Sequence, residues 1–455
     1  MRIGIDFGTT HTGAAVMVDG KIQFIPLDPY NTTDPHLLRS MIYVKRSQEH
    51  LVGRAAVETY LVEDTGRFVR YEDKVVGTVE NTVARLSRGP TDPDGPIQII
   101  YDVVVAEDVG SNGRLIQSIK TGLRDESYTG TNIYGQFYSI QELIALLLTQ
   151  VREQAEHFLG QPVTSAVLGR PVRFSDEPNI DEIAEQRLRE AANMAGFTEI
   201  ELEKEPIAAA RFYTNENQRA ETILVFDFGG GTLDLTIMRT AIGQSPQILA
   251  THGVLVGGDD IDSAMMRNRV SRQFGTESKI SPEGAPFPYE LANLLERWQT
   301  IPVLSRPLNL KVISDAKERG DNPDAFAALE TLVLKNYGFA LFSKIEQLKR
   351  ALSVDDSATM QMQIDNIDVA LTIDRAEFPR IINREIAMVQ RGISQVMEKA
   401  GISDEQIDVV VTTGGSSLIP IFRTILSRKF SQARIVRSNT FGSVTAGLAI
   451  QAADS

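Results

Sequence analysis

The sequence predicts an α/β protein of two related lobes, each opening on a strand–turn–strand unit. Three observations predict it. Apolar runs around Ile3 and Ile5 and from Ala14 to Val18 flank an acidic, glycine-bearing turn. The same grammar returns at Ile223–Phe226, Asp227-Phe228-Gly229-Gly230-Gly231-Thr232 and Leu233–Met238, with Asp227 lying 221 positions after Asp6. Helical periodicity and short strand-like runs follow each copy.

In chain order, the first strand leads through Phe7-Gly8-Thr9-Thr10 into the second. Asp19-Gly20 between apolar runs predicts a hairpin into Ile22–Ile25. From about 46 to 136 the pattern weakens, and Pro90, Pro93 and Pro96 mark a loop or inserted subdomain. Ser139 with Glu142 reads as a capping box opening a helix, with Ile140, Leu143, Ile144, Leu147, Leu148 and Val151 on its apolar face and Gly160 and Pro162 closing it. Val163–Leu168 reads as a buried strand, 181–195 as a helix stopped by Gly196, and Glu205–Tyr213 as a short helix. After the second turn, a proline-rich stretch from about 274 to 326 holds the single tryptophan, Trp298, and reads as an insertion. A helix near 342–352, two strands within 360–373, a long helix over 374–401 and a strand at 408–412 running into Gly414-Gly415-Ser416 complete the pattern. The expected division is 1–215 with an insertion at about 46–115, and 216–455 with an insertion at about 263–335.

The chain has 455 residues, 42% of them apolar, so a large core is available. A net charge of −14 without clustered cations argues against nucleic acid as a partner. With no cysteine, disulfides, thiolate metal sites and a cysteine nucleophile are excluded. The longest apolar run is far below the roughly 20 residues that span a bilayer. Met-Arg-Ile-Gly-Ile-Asp does not open like a secretory signal. The expectation is a soluble, cytoplasmic protein with no membrane partner.

A strand ending in Asp-x-Gly-Thr-Thr offers a carboxylate, a backbone that approaches closely and two hydroxyls. Asp6, Gly8, Thr9 and Thr10 form one such set; Asp227, Gly229, Gly230, Gly231 and Thr232 form another. Glycine N–H groups and threonine hydroxyls suit phosphate oxygens, and an aspartate can hold Mg²⁺ through water. Two such turns facing each other would grip a polyphosphate and its metal from both sides. The plainer reading is a pair of ordinary hairpin turns. Glu346, Lys349, Arg350 and Ser353 fall at i, i+3, i+4 and i+7, on one helical face, while Phe342, Ile345, Leu348 and Leu352 bury the other. Such a stripe is more often a solvated surface. His11 beside Thr10 reads as a solvent-facing turn residue.

These residues resemble the superfamily of sugar kinases, actin and heat-shock chaperones, and within it the DnaK-type (heat-shock seventy) chaperones, especially the short YegD-like members. The matching segments, in order, are Ile3–Thr10, Lys120 in Ile-Lys-Thr-Gly-Leu, Gly169-Arg170-Pro171-Val172, Glu205–Ala210, Asp227–Asp234 and Gly257-Gly258-Asp259-Asp260-Ile261-Asp262. Residues 346–353 and 410–420 extend the likeness. The resemblance implies a duplicated actin-like ATPase (ribonuclease H-like) fold, two lobes flanking a cleft for ATP or ADP with Mg²⁺. It implies Lys120 near the γ-phosphate and Glu205 beside the magnesium shell, with Asp6 and Asp227 holding the metal through water. Asp227 and Asp234 would position metal and water, and Thr9, Thr10 and Thr232 would bind phosphate. Gly257 and Gly258 would lie along the nucleotide. Glu346, Lys349, Arg350 and Ser353 would face adenine and ribose, with Gly414, Gly415 and Ser416 approaching from the far side. Pro171 would couple nucleotide state to lobe movement.

The chain departs from that pattern at Leu418, where the family usually carries an arginine against the adenine, and at Phe441, where it carries an aspartate. The first change removes a cation–π partner worth about 0.5–2 kcal/mol. Nor does the sequence up to Ser455 show the hydrophobic linker and peptide-binding β-domain of such chaperones. The expected output is therefore a protein partner of unknown identity, self-association, or a client held by the inserted segments. The functional expectation is an ATP-binding, slowly hydrolysing, chaperone-like switch. An actin-like filament protein, a small-molecule kinase and a nucleotide-binding scaffold without turnover remain as alternatives.

Overall fold

The computed structural model describes residues 1–83, 97–175, 177–216, 219–241, 244–281, 283–437 and 442–454. Pro90, Pro93, Pro96 and Phe441 lie outside them. Each lobe is founded on a sheet with the same five-strand path, to which the first sheet adds the short strand Leu38–Arg39. In the first, β1 (Arg2–Phe7), β2 (His11–Val18) and β3 (Lys21–Phe24) form an antiparallel meander, and β4 (Ser165–Arg170) and β5 (Glu199–Lys204) add in parallel beside β1. In the second, β6 (Thr222–Phe228), β7 (Leu233–Ala241) and β8 (Gln244–Val254) form the meander, and β9 (Val409–Thr413) and β10 (Arg434–Arg437) add beside β6. The spatial order is third, second, first, fourth, fifth in both. The sequence duplication is thus a duplication of topology. Strand β5, a largely charged Glu-Ile-Glu-Leu-Glu-Lys run, escaped the sequence reading because an edge strand lacks the apolar run that marks a central one.

Local chemistry explains the boundaries. Asp19 and Gly20 both take positive φ, 50° and 72°, as a tight hairpin requires. The Ser139–Glu142 capping box opens helix α1 (Ile140–Leu159), and left-handed Gly160 closes it. Helix α2 (Pro178–Met194) starts on a proline in its first turn. The helix α3 (Glu205–Glu216) follows β5 directly. In the second lobe come α4 (Gly258–Met265), α5 (Gly338–Leu352) and α6 (Asn383–Ala400). The single helix expected over 374–401 is corrected. The strand Ile367–Asp374 pairs as far as Asp374 with Ser357, a short helix Phe378–Ile381 follows, and non-helical Ile382 (φ −107°, ψ 28°) separates it from α6.

Each of the two sheets is accompanied by an arm of further elements. The first has a three-stranded sheet (Met41–Lys45, His50–Val52, Gly113–Gln117), a helix Gly53–Glu63 and a long antiparallel pair of strands, Tyr71–Val83 with Ile97–Asp108. The second is mainly helical, with Pro307–Arg319 and Pro323–Leu334 among its elements. The arms meet. Tyr60 packs edge-on against Phe339 at 5.4 Å and tilted against Trp298 at 6.2 Å. Trp298 Nε1 donates to Gln117 Oε1 at 2.9 Å, and Gly66 and Val69 N–H donate to the Lys335 and Leu334 carbonyls at 2.8 Å each.

The last helix, α7 (Ser443–Asp454), does not stay with the second sheet. It packs on β1, β2 and β4 and against α3, so a third core joins the lobes through Val167, Ala208, Ala209, Val225, Val411 and Leu448. Among the described residues no single helix is long and apolar enough to cross a membrane.

Candidate functional site

The two acidic turns face each other and touch. A Cβ on Gly230 would lie 2.1 Å from the Thr10 methyl, and one on Gly231 would lie 3.1 Å from that of Thr9. Only glycine at 230 lets the turns approach this closely. Gly8 sits in the first turn, its carbonyl accepting the Ser40 hydroxyl at 2.8 Å. The second turn is closed by Gly229 N–H donating to the Thr232 carbonyl at 3.0 Å.

Behind the turns the strand ends bring four carboxylates together around one lysine. Asp227 pairs across the meander with Asp234, and Asp6 ends the corresponding strand of the other lobe. Glu205, the first residue of α3 and 8% exposed, reaches Lys120 Nζ at 2.7 Å. Lys120 rides on a 3-10 turn, Ile119–Arg124. Burial, reinforced by Glu205, pushes Asp6 up to about 7 despite Lys120. Burial and Glu205 raise Asp234 to about 6, although the Thr232 hydroxyl donates to it at 2.9 Å. Asp227 is raised well above the ordinary range by burial and by Glu205, Asp234 and Asp6. Burial opposes the charge on Lys120, but Glu205, Asp6 and Asp234 outweigh it and the ammonium is stabilised. One lysine cannot neutralise this set, so the pocket favours a further cation or bound protons. Among the described residues no three acidic or histidine side chains converge as direct metal ligands. A hydrated Mg²⁺ fits such an arrangement, since it keeps much of its water shell.

The second turn is stitched to its own lobe. Gly258 and Asp259 N–H, at the start of α4, donate to the Gly229 and Gly230 carbonyls at 3.1 and 2.8 Å. The Ser416 hydroxyl donates to the Gly229 carbonyl at 2.8 Å. Lys349 Nζ donates to the Gly258 carbonyl at 2.9 Å and to Asp262 at 2.7 Å. Gly257 caps α4. Gly414, with φ 78°, leaves the Asp227 carboxylate room, since a Cβ there would lie 2.8 Å from Asp227 Oδ1; Gly415 starts the short turn Gly415–Leu418 that follows. Leu418 ends that turn, half-buried.

The polar face of α5 meets the first lobe and the start of α4, and its members have partners there or within the helix. Glu346 is ion-paired with Arg39 of the other lobe and, at 3.0 Å, with Arg350. Burial works against its charge, yet Arg39, Arg350 and Lys349 hold it down at about 2. Arg350 is 61% exposed, and the Ser353 hydroxyl donates back to the Lys349 carbonyl at 3.2 Å. His11 is corrected. It is not a solvent-facing turn residue: it opens β2, pairs in register with Arg39 and is held down at about 4 by burial and by the Arg39 charge. Pro171 follows β4, whose Arg170 is ion-paired with Asp181 at 2.8 Å. Sequence reasoning missed Arg39 and Ser118, which lie in no motif and meet their partners only across the fold; Asp262 stood in the Gly257–Asp262 segment, but its pairing with Lys349 was not legible there.

The model of the Hsp70 protein family matches residues 108–290 and 338–453, well over half of the chain. The chain belongs to the Hsp70 family. Its duplicated α/β architecture is the actin-like ATPase fold of that family. This Hsp70 chain is also similar to "Chaperone protein dnaK1" of Synechocystis sp., with 25% identity over 453 residues, 99% of this chain and 54% of the relative. It therefore spans about half the length of that curated relative. The first acidic turn lies outside the span of the family model, but the alignment to the relative reaches across nearly all of the Hsp70 chain.

Proposed function

We propose that this Hsp70 chain binds ATP in the cleft between its lobes, hydrolyses it slowly, and works as a nucleotide switch whose conformation is read by a protein partner. The observation that carries the reading is the contact of the Asp6–Thr10 and Asp227–Thr232 turns over the Lys120–Glu205 pair. Two turns that face each other this closely can close on a polyphosphate from both sides. Thr9, Thr10 and Thr232 offer hydroxyls, and the glycine backbone offers N–H groups, to phosphate oxygens. Lys120 offers charge where charge develops as the terminal phosphoryl departs, and Glu205 fixes its ammonium. Asp6 and Asp227 would hold Mg²⁺ through its waters, where it would neutralise phosphate charge and the carboxylates themselves. Asp234, poised near neutrality, can orient or accept a proton from the attacking water. On the nucleoside side, Glu346 keeps unused lone pairs for ribose hydroxyls while Arg39 and Arg350 orient it. Closure around nucleotide and relaxation after phosphate loss would shift the population of lobe arrangements.

Single-turnover hydrolysis of radiolabelled ATP, with and without Mg²⁺, tests this directly. The wild-type chain is expected to turn over only with Mg²⁺, and Thr232→Ala and Lys120→Ala to lose turnover while retaining binding. ATP binding without any wild-type turnover would leave a nucleotide-sensing scaffold and remove the ATPase.

A further inference from the structure

The turn that carries Lys120 is short and poorly supported by its own hydrogen bonds. A six-residue 3-10 turn leaves its last carbonyls short of partners: Gly122 and Asp125 each accept one backbone N–H, from Asp125 at 3.1 Å and Tyr128 at 3.2 Å, and the carbonyl dipoles gather negative charge at that end. In this chain one side chain collects them. Arg187, on α2 and 9% exposed, donates through Nη1 to the Gly122, Leu123 and Asp125 carbonyls at 3.4, 3.3 and 2.8 Å. Its Nη2 donates to the Glu126 carbonyl at 3.3 Å. Four carbonyls, from positions 122, 123, 125 and 126, on one guanidinium fix the C-terminal end of the turn to the body of the first lobe. The opposite end is tied elsewhere. Ser118, in the left-handed region at φ 57°, donates to Asp259 of the second lobe at 3.3 Å, and the Asp259 N–H holds Gly230 of the second phosphate turn. Lys120 lies between these two anchors.

We infer that Arg187 is a positioning residue for Lys120: it holds the turn 119–126 so that the ammonium stands at the phosphate end of the cleft. Ser118 completes the placement only when the lobes are closed enough to reach Asp259. The guanidinium suits the task because its planar fork presents five donors in fixed directions, whereas an ammonium offers three from a single point. Arg187 touches no residue of the acidic turns; its effect passes through the backbone it gathers. The inference rests on the ATPase reading for its catalytic consequence, and on the geometry alone for its structural one.

The test uses the full chain carrying Arg187→Met, Arg187→Lys, Lys120→Ala and the double variant Arg187→Met/Lys120→Ala. Hydrogen–deuterium exchange of the nucleotide-free protein is read over 119–127, together with ATP affinity and single-turnover hydrolysis. Arg187→Met is expected to speed exchange over 119–127 by about tenfold or more, with exchange in the second lobe unchanged. It should slow hydrolysis by roughly tenfold to a hundredfold, the scale of a misplaced catalytic group, with ATP affinity within about threefold. Arg187→Lys should recover part of both effects. In the Lys120→Ala background Arg187→Met should cost nothing further, the non-additivity of groups that act as one. Unaltered exchange over 119–127, or a further loss on top of Lys120→Ala, would overturn the inference. A wild-type chain without turnover would sink the ATPase reading instead, and the exchange measurement would then decide Arg187 by itself.

Discussion

Asp6, Asp227, Asp234 and Glu205 crowd one lysine, and the imbalance should be visible as pH dependence. Asp6 and Asp262 are raised to about 7 and Asp234 to about 6, each chiefly by burial. A carboxyl raised in the folded state contributes stability below its unfolded value, and this is lost as pH rises through the folded one. His11, lowered to about 4, runs the other way, but its contribution is complete above about 6.5. Between about pH 6.5 and 8 the aspartates therefore decide the sign. The melting temperature of nucleotide-free protein should fall over that window, less steeply with Mg²⁺ and ADP, and Asp6→Asn should flatten the curve; differential scanning fluorimetry checks all three. A rise would refute the electrostatic account of the pocket. Lys120→Met leaves the buried Glu205 without its cation, and should cost about 3 kcal/mol at pH 8 and less at pH 5, measured by chemical denaturation.

Among the elements, the arms are joined by aromatic packing in which Tyr60 meets Trp298 and Phe339. Trp298 lies 5.0 Å from Phe339 and is the chain's single tryptophan, so its fluorescence reports on that junction alone. Phe339→Ala removes a buried ring and should cost about 3–5 kcal/mol, with a red shift of Trp298 emission as the arms part. Unchanged emission would show that the backbone bonds at Gly66 and Val69 hold the arms without the rings. At α1, Ser139→Ala deletes a reciprocal cap and should cost about 1 kcal/mol in the same denaturation assay. These elements were open to sequence reading in proportion to how local their causes are. The cap, Gly160 and the Asp19-Gly20 turn were each legible from neighbouring residues. The late start of α6 was not, because strand pairing with Ser357 holds the chain extended as far as Asp374; Pro379, in the short helix before Ile382, was the local signal that went unread.

For the whole molecule, the two sheets are one topology used twice, joined by a helix that returns from the end of the chain to the start. Its fit against α3 is tight. A Cβ on Gly447 would lie 1.8 Å from the Ala208 carbonyl oxygen, and backbone cannot move aside as a side chain does. Gly447→Val should destabilise the chain by about 2 kcal/mol or more, lowering the melting temperature of both lobes together if the third core couples them. Separate transitions in calorimetry would show instead that the lobes unfold independently.

The sequence by itself determined the duplication, the two acidic turns and the family, because strand alternation, turn chemistry and motif order are written in neighbouring residues. Most of the candidate site was legible in the same way: Asp6, Asp227, Asp234, Glu205 and the glycines all lie at or near strand or helix ends. Only the tertiary structure decided what those residues meet. That Thr10 packs on Gly230, that Lys120 takes Glu205, that Glu346 is held by Arg39 and that Arg187 gathers a distant turn depend on contacts between residues far apart in the chain. Local propensity carries no information about such partners; they are chosen when the sheets pack and the cleft closes.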